Sequence, residues 1–552
     1  MPEIENDLSP YTGRWIALVR GKIIAQGSTA DQAAHAARLI RPKETPEILF
    51  VPDSHSIFEN PILQKILEAL PPDQEIYLVG GAVRDFLLQR STHDLDFVVP
   101  KDGIKIAKRV AKALHGAFYP LDELTDVGRV LLQQGEPQPF VFDFASFRKD
   151  SLEEDLAARD FSINAIAFDV RKKSFRDVTR GVNDIKEGTI RVCSESSFRD
   201  DPVRILRAFR FAAALDFSVH GETKKLIKES IPLLEKPSPE RIRDELFRIF
   251  DGPNPSAVIQ SLDVMGGLVY ILPELLALKN IQQPPPHIWD VWMHTFKVVD
   301  YLGTLVDVLA VDYDSTKTND LMTGFLTMKL GRYREQFLRH FVSYSIYDRS
   351  FRSILVYSAL FHDAGKPEKQ SVQNGIITFH GHEKVGSTLA VGRAIKLRLS
   401  NAELDRIRAI VMNHMRLMQH ISLFEREGKI PTKRAIYRFF KATDSTGVDL
   451  CLLALADIRA TYGTELTQKM WSAALDIVRI FLESWWERRE DVISPPPLVN
   501  GKDLMDLLGL RPGPDIGKII EAIREAQAVG EVSTREDALQ LAQSWMAEKN
   551  RK

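Results

Sequence analysis

The hydrophobic pattern changes period along the chain, and the changes mark out its elements. In residues 11–52 short β-rich runs alternate with turn signals. "RWIALVRGKIIAQG" predicts a hairpin turning at Arg20-Gly21, "STADQAAHAARLI" a helix opened by a Ser/Thr cap, and "EILFVP" a third strand. Residues 60–192 alternate strand-like and helix-like periods, as in an α/β or α+β region. From about residue 198 almost every apolar residue falls at helical spacing. Proline clusters at 282–287 ("QQPPPH") and 494–501 ("SPPPLVNG") predict linkers or sharp turns, and "VDYDSTKTND" (311–320) a polar, exposed loop. The pattern predicts a small α/β module over 1–55, an α/β or α+β region over 60–195, then helical blocks over 196–275, 280–485 and 495–552.

At 552 residues the chain has room for about three or four domains of roughly 150 residues. Its 44% hydrophobic and 27% charged content is ordinary for a globular protein. A net charge of −2 excludes attraction of the whole chain to polyanions, so a nucleic-acid partner has to be met by local basic patches. Cys193 and Cys451 lie far apart in apolar segments and read as thiols in a reducing compartment. The sequence opens with no basic leader and apolar core, and no apolar run approaches the ~20 residues of a membrane helix. The expected location is cytoplasmic, with no membrane partner.

One stretch raises a chemical question. "IYLVGGAVRDFLLQRSTHDLDFVV" (76–99) runs an apolar strand into Gly80-Gly81, then a short helix, then a strand beginning with Asp94 and Asp96. Residues i and i+2 of a strand share a face, so the two carboxylates project together with Leu95 on the other side. Such a pair repels unless a cation lies between, and a divalent ion such as Mg2+ takes oxygen ligands. The paired glycines let backbone approach a bulky group, the amides of the next helix suit phosphate, and Arg84 adds a charge-assisted donor. Asp143, the lone charge in "FVFDFASFR" (140–148), supplies the third carboxylate that a two-metal site usually needs. Together these parts read as a metal–nucleotide site for phosphoryl or nucleotidyl transfer. The plain alternative is a solvated strand edge after a glycine turn.

Four motifs then follow in order: "YLVGGAVRDFLL…HDLDFVV", "EEDLAARDFSINAIAFD" (153–169), "FRDDPVRILRAFRFAAALDF" (198–217) and "SPERIRDELFRIF" (238–250). They resemble the class II tRNA nucleotidyltransferases and bacterial poly(A) polymerases of the polymerase-β-like superfamily, over roughly residues 60–275 and more weakly to the C-terminus. Gln89 stands where the family has a glycine, and Asp200 where it has a glutamate. The resemblance implies an α+β fold: a nucleotidyltransferase head with a mixed sheet, a helical neck carrying a nucleobase template, a helical body and a tail. It implies catalysis by Asp94, Asp96 and Asp143, with Asp94 and Asp96 holding Mg2+. Nucleotide contacts are expected from Gly80, Gly81, Arg84, Arg159, Asp201, Arg204, Arg207 and Arg210, with Asp160 and Asn164 shaping their segment.

Asp201 and Arg204 of "DDPVR" are three apart and are expected on one helix face, where the plain reading is an i,i+3 salt bridge. As a template the pair selects bases. Cytosine and adenine both show an amino donor beside a ring-nitrogen acceptor, which Asp and Arg complement. Uracil and guanine would leave both side chains mispaired, at a cost of a few kcal/mol. The expected function is template-independent addition of CCA, from CTP and ATP, to the 3′ end of tRNA. The RNA 3′-hydroxyl attacks and pyrophosphate leaves in line.

A second constellation lies further on, in "HIWDVWMHTF" (287–296), "LFHDAGK" (360–366), "FHGHE" (379–383), "MNH" (412–414) and "LALADIRA" (453–460). It resembles the HD-domain metal phosphohydrolases. His294, His362, Asp363 and Asp457 are the expected ligands of a second divalent metal of open identity. His380, His382 and His414 are expected to add ligands or contact phosphate. Arg434, Arg438 and Lys441 share a helix face with Tyr437 beside them and can track an RNA backbone. Residues 498–543 resemble the family's tail, which implies a grip on the tRNA elbow.

Three alternatives stand beside the leading reading. A poly(A) polymerase would carry a basic segment like "GRRFRLAH", where this chain has "SFRDVTRGVNDIKEG". A CC-adding or A-adding tRNA enzyme would be distinguished by the flexible segment around 120–133. An HD phosphohydrolase with an RNA-binding head would not need Asp94, Asp96 and Asp143 intact.

Overall fold

The computed structural model describes residues 11, 14–19, 22–27, 30–44, 46–51, 61–90, 92–133, 139–313, 320–342, 349–509 and 512–551. The expected turn at Arg20-Gly21, the Ser28-Thr29 cap and most of the 311–320 insertion lie outside these residues. The chain forms two compact units, Met1–Leu233 and Leu234–Lys552, so the block expected as a neck over 196–275 is divided between them. Among the described residues no helix is long and apolar enough to cross a membrane.

The first unit opens with the small module. Strand β1 (Arg14–Val19) lies between β2 (Lys22–Gly27) and β3 (Glu47–Val51), both antiparallel to it, with α1 (Ala30–Ile40) connecting the last two. Alternation along β1 sorts its side chains: Ala17 meets Ala33 and Ala37 of α1, while Ile16 and Leu18 are buried on the opposite face with Tyr11 and Ile23.

The head follows. Its helices are α2 (Pro61–Ala69), α3 (Gly81–Leu87), α4 (Gly103–Leu114), α5 (Leu152–Ala157), α6 (Gly181–Lys186), α7 (Ser197–Asp200) and α8 (Arg204–Leu215). Its strands are β4 (Tyr77–Val79), β5 (Asp94–Val99), β6 (Ala117–Asp122), β7 (Val127–Leu132), β8 (Phe140–Ser146), β9 (Ile166–Asp169) and β10 (Ser174–Asp177). They form one mixed sheet in the order β10-β9-β4-β5-β8-β7-β6. Every neighbouring pair is antiparallel except β5–β8, which is parallel. A parallel pair needs a long crossover, and α4 with the β6–β7 hairpin supplies it. Helix α4 buries Ile106, Ala107, Val110, Ala111 and Leu114 at helical spacing, which seats it on the sheet. The 120–133 segment, expected as flexible, forms most of this antiparallel hairpin at the sheet edge.

The second unit is helical apart from the two-stranded hairpin Ser371–Gln373 and Ile376–Thr378. Its centre packs the helices Val291–Val308, Phe351–Phe361, His382–Lys396, Asn401–Glu427 and Thr446–Tyr462 on one another. Helix Thr446–Tyr462 is buried on almost every side, as a central helix must be. The tail has a core of its own around Val499, Leu504, Ile519, Ile523 and Ala538.

Gln89 shows what the family's glycine does. It has φ +58°, and it lies just beyond α3. Its amide donates to Phe86 O, and the Arg90 amide reaches back to Asp85 O, closing a left-handed helix end that a side chain tolerates poorly. Gln89 is exposed, so Gln89→Gly removes strain without opening a cavity. Thermal unfolding should show a gain of about 1 kcal/mol. An unchanged or lower melting temperature would contradict this account of the helix end.

Candidate active site and metal centre

The head site is built by strand register. The parallel β5–β8 pairing sets Asp96 opposite Asp143, and the antiparallel β7–β8 pairing sets Arg129 opposite the same Asp143. Asp94 and Asp96 share the face expected, with Leu95 buried behind them. Burial, then the charge of Asp143, pushes Asp96 up to about 6, while Arg159 and Arg129 pull it down. Arg129 donates from Nε to Asp143 Oδ1 and from Nη2 to Oδ2, both at 2.8 Å. The sequence reading missed Arg129, although it is the one charged residue of "VGRVLL". Gly80 has φ +71°, and a Cβ there would stand 3.0 Å from Asp96 Oδ2. The glycine therefore leaves room for the carboxylate.

Around this patch the arginines are held by partners of their own. Arg159 lies beside Gly80 and pairs with Asp155 at 3.3 Å, and its Nε is buried without a hydrogen-bond partner. Arg84 donates to Asn164 Oδ1 at 2.8 Å, and Asn164 donates in turn to Asp160 Oδ1 at 3.2 Å. Arg207 closes the chain on Asp160 Oδ2 at 2.6 Å. Burial works against the Asp160 charge, but Arg207 and its hydrogen bonds hold the carboxyl below its usual range. Arg84, Arg207 and Arg210 also share the ring of Phe211, at 5.2, 5.3 and 4.3 Å from its centroid. Phe211 was overlooked as well. Its signal was the i+1 and i+4 spacing from Arg210 and Arg207 in "RAFRF".

The Asp201/Arg204 pair is not on one helix face, as the spacing suggested. Asp201 follows α7 in an extended conformation, φ −148° and ψ 96°, and Arg204 begins α8. Pro202 is the reason, because a residue before proline is driven out of the helical region. The two still meet, with Arg204 Nε 3.9 Å from Asp201 Oδ2. Arg204 is fixed by donating to Ser197 Oγ at 2.8 Å, Ala158 O at 3.2 Å and Arg159 O at 3.3 Å.

In the second unit four helices and one helix end bring the expected residues together. His294, His362 and Asp457 form one buried group, and Asp363, His382 and His414 a second, each with ligand atoms within 4.8 Å of one another. Asp363 faces both, 3.1 Å from His362 Nε2 and 3.3 Å from His382 Nε2. His362, His382 and His414 turn Nδ1 to the carbonyls of Ala359, Phe379 and Val411 at 2.7, 2.9 and 2.8 Å. With Nδ1 as donor, each Nε2 is left as a lone pair aimed inward. His382 and His414 then face each other at 3.2 Å, lone pair to lone pair. Burial, then the neighbouring His362 ring, pushes His414 down to about 3, which keeps it neutral. His294 Nε2 lies 3.1 Å from Asp457 Oδ1, and His294 Nδ1 is buried without a hydrogen-bond partner. Such a set of nitrogen and oxygen donors fits a divalent metal. Lys366 adds a buried cation 2.6 Å from Asp363 Oδ2. His380 is exposed and stands outside both groups.

Arg434, Arg438 and Lys441 do share one face of the helix Lys433–Thr443. That face meets the acidic tail helix Pro514–Val529 and the residues just after it. Arg434 pairs with Glu531 at 2.7 Å, Arg438 with Glu525 at 2.7 Å, and Lys441 with Glu521. Tyr437 donates to Glu521 at 2.8 Å.

The comparisons agree with this geometry. The "Poly A polymerase head domain" family matches residues 76–191, "Probable RNA and SrmB- binding site of polymerase A" 216–279, and "HD domain" 291–459. The second-domain family of tRNA nucleotidyltransferases matches 445–542. The A-adding tRNA nucleotidyltransferase of Deinococcus radiodurans is 32% identical over 85% of this chain and 95% of its own length. The CC-adding tRNA nucleotidyltransferase of Thermus thermophilus is 29% identical over 86% and 94%. A solved CCA-adding enzyme without substrate shares the fold at a TM-score of 0.53 and 20% identity, covering 88% of this chain and 92% of that one. With its head, HD body and tail matched in order and a curated relative aligned over 85% of its length, the chain belongs to the tRNA nucleotidyltransferase family.

Proposed function

We propose that this chain builds the C-C-A end of tRNA from CTP and ATP, and that it acts in the cytoplasm. The observation that carries the reading is the convergence of Asp94, Asp96 and Asp143 on one face of the head sheet. Asp94 and Asp96, with Asp143, would hold Mg2+, whose preference for oxygen donors they suit. When bound, the ion would supply the positive charge that activates the RNA 3′-hydroxyl and steadies the leaving pyrophosphate. Arg84, Arg207 and Arg210, gathered on Phe211, would take the triphosphate, and the unpartnered Nε of Arg159 would meet the nucleotide. Asp201 would accept from the exocyclic amine while Arg204, already fixed by two carbonyls and Ser197, donates to the ring nitrogen. Arg434, Arg438 and Lys441 would exchange their surface carboxylates, pairs of that kind contributing ~0–1 kcal/mol, for RNA phosphates.

One observation favours a second reading of the product. The relatives quoted above that match most of this chain are named for adding A or CC alone. On that reading this chain performs one share of the terminal addition. The body is proposed as a metal phosphohydrolase acting on phosphate at RNA ends, because its imidazoles and carboxylates converge in two buried groups at ligand spacing.

Incorporation of labelled CTP and ATP into tRNA ending at the discriminator base, at C and at CC decides between them. C, C and A from this chain alone is the expected result, and Asp94→Ala should abolish it. C alone or A alone establishes the divided reading, and long A tails on unrelated RNA would refute both.

The raised Asp96 carboxyl gives a pH signature. It is protonated below about 6, so Mg2+ affinity should weaken about tenfold per pH unit below that point, measured by calorimetry. Stability of the metal-free chain moves the other way. A carboxyl raised to about 6 in the folded state stabilises most fully below its ordinary value of 3.8, and the effect is lost as pH rises through 6.

For the body, metal analysis of the purified chain should find divalent metal that Asp363→Asn removes. Equal metal content in the two chains would sink the metal-centre reading.

A further inference from the structure

Arg129 has no part in the reading above, yet it engages both oxygens of a catalytic carboxylate. Its place is set by backbone register, since β7 and β8 put Arg129 and Asp143 directly opposite each other. The contact is a planar fork, two parallel N–H donors at 2.8 Å on the two carboxylate oxygens. Three carboxylates share this part of the sheet. Arg129 is the cation bonded to one of them, and its own charge is reinforced by Asp143 first and then by Asp94 and Asp96. Arg159 stands near Asp96 but is tied to Asp155. The Arg129 side chain is 37% exposed, so its guanidinium has solvent to move into, whereas Asp143, at 21%, is held more deeply on the sheet.

These facts set up a competition. An ion bound by Asp94 and Asp96 together with Asp143 needs at least one Asp143 oxygen, and both accept from Arg129. We propose that Arg129 is a positioning residue that latches Asp143: it keeps the third carboxylate aimed at its partners, and a divalent ion binds fully only as Arg129 gives up one oxygen. The released guanidinium is chemically suited to a phosphate oxygen, so the triphosphate that arrives with the ion offers it a new partner. Ion and nucleotide thereby load together, and free metal alone is bound weakly.

The inference rests on the proposed reading of Asp143 as a metal carboxylate, and a double-mutant cycle separates the two. Mn2+ binding to the full chain without nucleotide is followed by electron paramagnetic resonance for wild type, Arg129→Gln, Asp143→Asn and the double variant. Ions held by the HD body are common to all four chains and cancel. Asp143→Asn alone should weaken Mn2+ binding at the head. If it does not, the carboxylate reading fails and the latch falls with it. Arg129→Gln should tighten Mn2+ binding by on the order of tenfold, the worth of a charge-assisted hydrogen bond given up. In the Asp143→Asn background the same change should have an effect under about twofold, since nothing remains to latch. Unchanged or weaker binding by Arg129→Gln, with Asp143→Asn still weakening it, overturns the proposal. So does equal tightening in both backgrounds, which would mean a diffuse charge effect. Arg129→Lys keeps the charge, loses the fork and guards against misfolding of the Gln variant. It should bind Mn2+ with intermediate strength, and binding indistinguishable from wild type would count against the fork.

Discussion

The parallel pairing of β5 with β8 is the constraint on which the head depends. It is the single parallel contact in a sheet whose other neighbouring pairs are antiparallel, and it places Asp96 level with Asp143. Slipping that register by one residue would turn Asp143 to the opposite face of β8, and with it the whole site. The crossover that makes the pairing possible also delivers β7, and hence Arg129, to the far side of Asp143. One topological decision therefore fixes two acids and the cation that balances them. Burial of the apolar residues Leu95, Phe97, Phe142 and Phe144 holds the register against the repulsion of the acids.

The arginines answer a related problem. Several guanidiniums gathered for a triphosphate repel one another until it arrives. Here the repulsion is met by the buried Asp160 carboxylate, by Asn164 and by the face of Phe211. Breaking a buried pair of this kind by removing one partner costs ~3–5 kcal/mol. Asp160 and Asn164 thus shape the segment, as expected, by joining α3 at Arg84 to α8 at Arg207. Arg204 is tied to the same segment through the carbonyls of Ala158 and Arg159, so template and phosphate groups hang on one short stretch of backbone.

Much of this was legible in the sequence wherever local chemistry decides structure. The i, i+2 geometry of Asp94 and Asp96, the hairpin–helix–strand module and the helical second half all follow from period alone. The mixed character of the head sheet followed from the family resemblance and not from period, and its strand order from neither. What stayed hidden needs long-range register. Arg129 and Asp143 are fourteen residues apart and meet through a hairpin whose pairing no local pattern specifies. The reading of 120–133 said nothing of the hairpin that this segment forms. Asp201 was misplaced for a local reason that was visible, the proline that follows it. The acidic partners of Arg434, Arg438 and Lys441 lie eighty or more residues away, beyond the reach of a helical-face argument.

The two metal-binding constellations differ in how they handle charge, and the difference bears on what each can do. The head offers carboxylate oxygens on one sheet face and sets an arginine against one of them. The body closes imidazoles and carboxylates inside helices and orients three of the imidazoles through backbone carbonyls. A site of that kind is suited to holding its metal continuously, and its mixed nitrogen and oxygen donors favour transition ions over Mg2+. The head, with oxygen donors alone, suits Mg2+ instead. The two donor sets thus differ in the ions they suit within a single chain.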